Sequence, residues 1–310
     1  LPTLAYAPGL WSSYVYAGVA ARGARCLMLL NDPLAAQYLD SALRAMSYAE
    51  SKFPDQASKP AKLPHAVHDA RNLAAAELFS ITGAEKWNTL FLETTAFKNT
   101  KSATSRLNVY DQTHAAFLYA RTPWHGVSKK TARNARRAIL REAEASVEMT
   151  RSTGFGWTQQ TPWQSIGYGV LSTPQVLGLV RAHVLSGQPE FIKATQLACQ
   201  TGAGANPLNL CYTTGVGYRS PRNPLCIDAR VSGFGNLTGL TVYGPLDAAQ
   251  HGNNWAFDTI RDYLYPDLSY WPVMETFFDV YMFPAMCEFS VHQTIALNAY
   301  AWGYLASLPR

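Results

Sequence analysis

The chain has few charged residues and few cysteines, and it lacks several motifs that would assign a function directly. Charged residues make up 15% of the 310 residues and hydrophobic residues 48%, which excludes a disordered chain and favours a large globular core. The five cysteines form no Cys-x-x-Cys motif and no cysteine–histidine cluster with zinc spacing. No phosphate-binding loop, Gly-x-Ser-x-Gly motif, dinucleotide fingerprint or membrane-spanning apolar run is present.

Positive charge exceeds negative charge only slightly, with a net charge of +5. The basic residues are scattered except between Lys129 and Arg141, where they recur at helical spacing among alanines. This pattern predicts the solvated face of a helix rather than a nucleic-acid site. The sequence begins at Leu1, without a methionine or a secretion signal, so we expect either a mature form or a portion of a larger protein.

Alanine-rich segments dominate the first two thirds of the chain. Their patterns predict helices over 14–30, 34–52, 66–82, 85–97, 111–120, 128–150, 173–186 and 189–201. A tight connector recurs at 30–33, 82–85 and 186–189, where glycine or asparagine ends one helix and proline or an acidic residue starts the next. Repeated helical hairpins without alternating strands predict an all-α toroid of helix pairs.

Residues 203–285 differ from the rest, because glycine, proline and aromatic residues replace the helical patterns. Such a long irregular segment is usually functional. A last helix is predicted over 286–308, with Glu288 in its first turn. That glutamate either complements the helix dipole or acts as an acid whose pKa is raised by apolar neighbours such as Phe283, Met286 and Phe289.

One segment resembles a known family. It reads Gly204-Ala205-Asn206-Pro207-Leu208-Asn209-Leu210-Cys211-Tyr212-Thr213-Thr214-Gly215-Val216-Gly217, and Ser220-Pro221-Arg222-Asn223-Pro224 follows. It is similar to glycoside hydrolase family 9, the inverting cellulases, whose members carry Gly-x-Asn-Pro-x-x-x-Ser-Tyr-Val-Thr-Gly-x-Gly and then Ser-Pro-x-x-Pro. The resemblance implies an all-α (α/α)6 barrel with a glycan groove formed by long loops. By this resemblance, residues 1–310 form a single catalytic domain and correspond to about the last three quarters of the family's catalytic domain.

The resemblance also implies a catalytic pair. Glu288 lines up with the general acid, which protonates the leaving glycosidic oxygen. Inversion needs a second carboxylate about 6.5–9.5 Å away to activate water. The family carries that base in an Asp-Ala-Gly-Asp-Tyr segment that is not found here, so we expect it in a segment of the same protein upstream of Leu1. Asp228, Asp258 and Asp279 are internal alternatives, each more easily explained as a surface or substrate-positioning residue.

Two departures from the family pattern indicate altered sugar recognition. After Pro224 the family has a His-Arg pair, whereas this chain continues through Leu225 to Arg230 without a histidine. We expect Arg230 to bind sugar hydroxyls or an acidic substituent, and Asp228 either to accept from hydroxyls or to pair with Arg230. The segment around Tyr243 replaces a Gly-Gly-Pro-Asn turn, and this change also leaves plain cellulose open to question.

Further binding residues follow from the chemistry of sugars, whose apolar faces stack on aromatic rings. We predict this role for Trp157, Trp163, Tyr212 and Tyr243, while His292 either lines the site or supports it from behind. No metal site is predicted and no cofactor is required, although the resemblance makes a structural calcium ion plausible. The expected partner is a polysaccharide or oligosaccharide, with no nucleic acid and no membrane, and the expected location is secreted or periplasmic.

Three hypotheses therefore remain at the level of sequence. The first is an inverting hydrolase of β-glycosidic bonds in a β-glucan or a substituted polysaccharide, with Glu288 as the acid. The second is an α/α-toroid polysaccharide lyase, which would use a tyrosine–histidine pair and need no second carboxylate. The third is a glycan-binding toroid that has lost its base and no longer catalyses a reaction.

Overall fold

The structure is a computed structural model that describes residues 7–57, 65–106, 110–156, 158, 172–247, 255–258 and 260–309, with the backbone alone at 55–57, 65 and 106. The α-helices within these residues are α1 Leu10–Leu29, α2 Leu34–Ala57, α3 His65–Thr82, α4 Glu85–Thr94, α5 Thr113–Tyr119, α6 Lys129–Ser152, α7 Leu177–Ser186, α8 Pro189–Gly202, α9 Ile227–Ser232, α10 Pro284–Cys287 and α11 Ala296–Ser307. Strands β1 Ser105–Arg106 and β2 Tyr110–Asp111 form a short antiparallel pair. No described helix combines the length and the apolar character needed to cross a bilayer.

The predicted connectors are confirmed at all three places. Asn31 has a φ of 55° after α1, and the Asp32 carboxylate accepts a hydrogen bond of 2.9 Å from the Leu34 N–H at the start of α2. Gly83 and Gly187 take φ values of 67° and 73° after α3 and α7. These left-handed positions favour glycine or asparagine because other side chains clash there.

Two compact units divide the chain, Leu1–Arg141 and Glu142–Arg310, here called unit 1 and unit 2. In unit 1 the helices α1, α2 and α3 pack around small side chains, of which Ala17, Ala21 and Ala74 are fully buried. A Cβ atom at Gly18 would lie 3.4 Å from Ala74 Cα, so α1 and α3 approach closely where both carry small residues. The prediction of one domain over 1–310 stays a prediction.

A buried carboxylate joins α1 to α3. Glu77 has 1% of its side chain exposed and accepts hydrogen bonds from Arg22 Nε at 2.6 Å and Arg25 Nη2 at 2.9 Å. The two arginine side chains keep about a third of their surface in water, at 38% and 34%. Because the charge of Glu77 is held inside, the two guanidinium groups compensate its loss of hydration.

A second charged group joins α2 to both neighbours. Glu50 accepts a hydrogen bond of 2.6 Å from the Tyr14 hydroxyl and two of 2.8 Å from the Arg71 guanidinium. Burial alone would raise the pKa of the Glu50 carboxyl, but the bonds from Arg71 and Tyr14 outweigh burial and hold that pKa below its ordinary value. The guanidinium of Arg71 also lies 4.1 Å from the centre of the Phe53 ring.

Unit 2 begins with the rest of α6 and contains the hairpin of α7 and α8, which both contact α11. Beyond α8 it is held mainly by turns, with short 3-10 helices at Trp255–Phe257, Arg261–Tyr263, Leu268–Tyr270 and Val273–Glu275. A core cluster in this part contains the fully buried Phe257, Phe283 and Met286. In the described residues between α8 and α10, the long irregular segment expected from the sequence is therefore present and contains α9.

The last helix does not begin where the sequence predicts. Pro284 starts the four-residue α10, Glu288 is extended with φ −71° and ψ 159°, and Ser290 caps a π-helical turn, Val291–Ile295, before α11. The physical reason is that the carbonyl groups of residues 286–288 accept hydrogen bonds from other segments, at 2.8–2.9 Å from Gly244, Leu225 and Tyr243. These carbonyls are therefore not available to a continuous helix.

Candidate active site

Three extended segments of unit 2 lie side by side around Glu288. The Val242 N–H donates to the Tyr212 carbonyl at 3.1 Å, and the Tyr243 N–H donates to the Glu288 carbonyl at 2.8 Å. Isolated β-bridges join Thr213 to Thr241 and Val242 to Phe289. The segment 239–244 is therefore central, with 211–214 on one side and 286–290 on the other.

A buried asparagine shapes the first of these segments. Asn206 is 4% exposed, and its Nδ2 donates to the carbonyl groups of Thr201 at 2.7 Å and Leu210 at 2.9 Å. Its Oδ1 accepts from the Leu208 N–H at 3.2 Å and the Leu210 N–H at 3.3 Å. The Asn-Pro element of the motif therefore fixes the turn between α8 and Tyr212, and its role here is structural.

Gly244 permits the close approach of the central segment, 239–244, to Ser172. Gly244 has a φ of 76°, and a Cβ atom built on it would lie 2.6 Å from Ser172 Cβ. The Ser172 hydroxyl donates to the Val242 carbonyl at 2.7 Å. The Gly244 N–H in turn donates to the Met286 carbonyl at 2.9 Å, so this contact also positions the segment that carries Glu288.

Glu288 is exposed, while Phe283 and Met286 before it in the sequence are fully buried and Phe289 is partly buried. Phe283 and Met286 belong to the core cluster with Phe257, and Phe289 packs against a small cluster that includes Cys226. The backbone around Glu288 is thus fixed on both sides by cross-segment hydrogen bonds and buried side chains. Its carboxylate remains accessible to a ligand.

Tyr243 lies beside the glutamate. It is 8% exposed and makes a side-chain hydrogen bond with Ser290. Burial and then the negative charge of Glu288 raise the pKa of the Tyr243 hydroxyl, and the bond from Ser290 opposes them. Tyr243 and Glu288 are therefore close enough to interact electrostatically, which the sequence analysis did not foresee.

Tyr212 was predicted to stack on sugar, but its ring is fully buried. It packs with Leu210 and Val242 and meets the Phe277 ring edge-to-face at 5.6 Å between ring centres. Burial raises the pKa of its hydroxyl well above the usual range. A ring without exposed surface cannot stack on a sugar, so Tyr212 is a core residue in this structure.

Arg230 and Asp228 lie on the short helix α9 and are exposed. The guanidinium carbon of Arg230 lies 3.9 Å from the centre of the Tyr281 ring. Among the residues that the structure describes, no ion pair joins Arg230 to Asp228. The structure therefore does not show the predicted pairing of Asp228 with Arg230. The role that stays predicted for Asp228 is to accept hydrogen bonds from sugar hydroxyls.

Two of the alternative bases are engaged elsewhere. The Asp279 carboxylate accepts from the Arg222 N–H at 2.7 Å and the Asn223 N–H at 2.9 Å. Asp258 pairs with Arg261 at 3.4 Å on the surface. Asp279 thus joins two segments distant in sequence and Asp258 makes a surface pair, and this agrees with the expectation that they are not water-activating residues.

The other predicted site residues are placed as follows. His292 is exposed in the π-helical turn after Ser290. Trp157 and Trp163 lie outside the described residues.

All five cysteines are free thiols, including Cys211 and Cys226. Among the described side chains, no three metal-ligating residues come together, and the possible calcium ion stays untested.

A polar cavity of about 260 Å³ opens next to the Ser-Pro-x-x-Pro loop. Arg222, Asn223, Arg230, Asn236 and Tyr281 are among its lining residues. The sequence analysis named Arg230 from this set and missed the others. Arg222 and Asn223 occupy variable positions of the motif, so only their place in the fold identifies them.

The family model for glycosyl hydrolase family 9 matches residues 5–269. The chain belongs to this family. A comparison with curated protein sequences gives no significant match. The family-9 motif at 204–224 thus lies inside the matched region, whereas Glu288 lies beyond it.

Solved structures of family-9 endoglucanases share the fold. A metagenome-derived enzyme has 23% identity and a TM-score of 0.74, and the match covers 96% of this chain and 53% of that one. Endoglucanase J30 has 19% identity and a TM-score of 0.75 over 95% and 54% of the two chains. AaCel9A, solved in complex with cellobiose-like isofagomine, has 19% identity and a TM-score of 0.71 over 95% and 55%.

These likenesses confirm the predicted family and the all-α (α/α)6 fold class. The chain spans about half the length of the solved relatives it matches, at 53% to 55%.

Proposed function

We propose that the protein hydrolyses β-glycosidic bonds of a β-glucan with inversion, and that Glu288 is its general acid. Membership of family 9 and the fold shared with endoglucanases support the hydrolase class and the β-glucan substrate. The observation that carries the role of Glu288 is its geometry. It is an exposed carboxylate on a segment whose backbone is held by neighbouring segments on both sides.

The proposed chemistry is a single displacement. The Glu288 carboxyl donates its proton to the glycosidic oxygen as the bond from that oxygen to the anomeric carbon breaks. A water molecule attacks the anomeric carbon from the opposite face and gives one proton to a second carboxylate. The products are two shorter glycans, one of which carries an inverted anomeric hydroxyl.

The second carboxylate is proposed to come from an upstream segment of the same protein. This is supported by the engagement of the Asp279 and Asp258 carboxylates in contacts within unit 2 and by the absence of the family's aspartate motif from this sequence. Since polymeric glucans do not enter cells, the proposal includes secretion or export to the periplasm. Tyr243 and His292 are proposed to contact the sugar or support Glu288.

The proposal is tested with Glu288→Gln in the full protein, assayed on a soluble neutral β-glucan. Removal of a general acid lowers kcat by about 10²- to 10⁴-fold, because the glycosidic oxygen then leaves without a proton. Glycan binding, measured by affinity electrophoresis, is expected to remain. The matched control is Glu275→Gln, since Glu275 is an exposed glutamate in a neighbouring 3-10 helix of unit 2.

Other outcomes separate the rival hypotheses. Products that absorb in the ultraviolet would indicate a lyase, because elimination leaves an unsaturated sugar. Glycan binding by the wild-type full protein without any cleavage would indicate a toroid that binds but does not catalyse. Unchanged kcat in Glu288→Gln would remove the glutamate from the mechanism.

A further inference from the structure

The polar cavity beside the Ser-Pro-x-x-Pro loop has an unusual balance of charge. Two of its lining residues are arginines and two are asparagines, Arg222, Arg230, Asn223 and Asn236. Among the described residues that line it there is no aspartate or glutamate. A cavity with positive charge and many N–H donors, and without lining carboxylates, is suited to a negatively charged group.

Arg230 is held in a defined orientation. Its guanidinium carbon is 3.9 Å from the centre of the Tyr281 ring, as in a cation–π contact. Stacking occupies the face of the guanidinium and leaves the N–H groups at its edge for in-plane bonds. Such edges match the two oxygens of a carboxylate.

Arg222 is held through its backbone. Its N–H donates to Asp279 Oδ2 at 2.7 Å, and its carbonyl group accepts from Asn236 Nδ2. The Asp279 carboxylate is thus occupied by backbone N–H groups. Within the described part of the chain, neither Arg222 nor Arg230 forms an ion pair, with Asp279, Asp228 or any other carboxylate.

The cavity is connected to the candidate active site. The Leu225 N–H, directly after the loop that lines the cavity, donates to the Cys287 carbonyl at 2.8 Å. Cys287 immediately precedes Glu288 in the sequence. The loop that carries Arg222 and the segment that carries the proposed acid are therefore joined directly by a backbone hydrogen bond.

We propose that this cavity binds a carboxylate carried by the glycan, so that the substrate is an acidic β-glucan. The carboxylate belongs either to a uronic acid unit or to an ether-linked carboxymethyl group. This inference rests on the proposed function and names the substrate class of the same site. Arg222 and Arg230 supply the charge. The amide groups of Asn223 and Asn236 each donate one hydrogen bond to a backbone carbonyl and have a second N–H for the ligand.

Binding is measured with the full protein carrying Glu288→Gln, so that hydrolysis does not interfere. Carboxymethylcellulose and the neutral hydroxyethylcellulose, of similar length, serve as ligands. We expect the anionic polymer to bind at least about tenfold more tightly. Arg222→Gln and Arg230→Gln are each expected to weaken binding of the anionic polymer about tenfold and of the neutral one less than about twofold, from the usual strength of charged hydrogen bonds.

Two controls separate specific binding from general attraction of a polyanion. Arg151→Gln removes one exposed positive charge from α6, which does not line the cavity, and is expected to change affinity by less than about twofold. Poly-glutamate, which carries carboxylates on a different backbone, is expected to compete poorly. Circular dichroism of each variant checks that it remains folded.

Several outcomes would overturn the inference. These are equal affinity for the two celluloses, an equal loss in Arg151→Gln, or full competition by poly-glutamate. Such results would leave the proposed function standing if the full protein still cleaves neutral β-glucan in a Glu288-dependent way. If cleavage of neutral β-glucan did not depend on Glu288, the proposed function would be overturned. A preference for the acidic polymer in the binding assay is independent of that result.

Discussion

Unit 1 and the segments around Glu288 are held together by different kinds of interaction. In unit 1, long helices pack through alanine and glycine, and a buried carboxylate, Glu77, and a half-buried one, Glu50, join them. Around Glu288, short extended segments exchange single backbone hydrogen bonds. Each helix of unit 1 satisfies most of its own backbone groups, whereas each segment at the candidate site depends on its neighbours.

This difference predicts where the protein is most sensitive to substitution. The site segments depend on close backbone approach, so an added methyl group at a contact affects several hydrogen bonds at once. The helical unit depends on charge pairs between otherwise self-sufficient helices. Substitutions in the two regions therefore test two separate physical causes.

The largest effect is expected from Gly244→Ala. The left-handed φ costs about 1–2 kcal/mol for a residue with a Cβ, and a Cβ at 2.6 Å from Ser172 Cβ adds an overpacking cost of about 1–3 kcal/mol. We expect a loss of about 3 kcal/mol in the free energy of unfolding, measured in urea, together with a lower kcat because the Glu288 segment shifts.

The matched control is Gly187→Ala in the connector after α7. Gly187 has a φ of 73°, and no atom lies within 4 Å of a Cβ built on it. Its substitution has the conformational cost alone, about 1–2 kcal/mol. Equal losses at the two glycines would show that the contact with Ser172 does not constrain the site segment.

A smaller loss is expected from Glu77→Gln in unit 1. The substitution keeps the size of the side chain and removes the charge that Arg22 and Arg25 share. Breaking a buried pair costs about 3–5 kcal/mol, and the partial exposure of the arginines reduces this to about 2–3 kcal/mol. Asp40→Asn is the control, since its pair with Arg44 is exposed and contributes less than about 0.5 kcal/mol.

The measurement is again the free energy of unfolding, at neutral pH and at two salt concentrations. The loss in Glu77→Gln is expected to persist at high salt, because a buried charge is little screened. A loss no larger than that of Asp40→Asn would mean that buried charge pairs do not stabilise the helical unit.

The smallest effect is the pH dependence of Glu50. Its pKa is lowered from the ordinary 4.5, so the folded state binds the proton less readily than the unfolded state. Its contribution is therefore present above about pH 4.5 and is lost as pH falls through the lower folded pKa. Near neutral pH, Glu50→Gln is expected to be about 1–2 kcal/mol less stable than wild type.

Urea unfolding of both proteins between about pH 3 and pH 7 checks this prediction. The other carboxyl groups titrate in both proteins, so the difference isolates Glu50. The difference should shrink as the pH is lowered. A difference that stays constant, or grows in acid, would contradict a lowered pKa.

Much of the fold follows from local sequence signals. The connectors contain residues that accept left-handed φ values, at Asn31, Gly83 and Gly187, and the helices on either side form where predicted to within a few residues. Capping and turn preferences are local, so they are readable from neighbouring residues. The motif around Asn206 likewise predicted the family, which the family model confirms.

The candidate site was only partly predictable. The sequence placed Glu288 inside a helix, whereas hydrogen bonds from Gly244, Leu225 and Tyr243 to residues 286–288 keep it extended. Tyr212 was expected in the groove and lies in the core. Both errors have one cause, since the partners of these residues are distant in sequence.

The sequence by itself determined the helical class, the connectors and the family, because these depend on local propensities and on a contiguous motif, and the resemblance to the family named Glu288 as the candidate acid. Only the tertiary structure decided that Glu288 lies on an extended segment beside Tyr243. It also brought Arg222, Arg230 and Tyr281 around one cavity. Contacts between distant residues are set by the packing of the whole unit, and no local pattern records them.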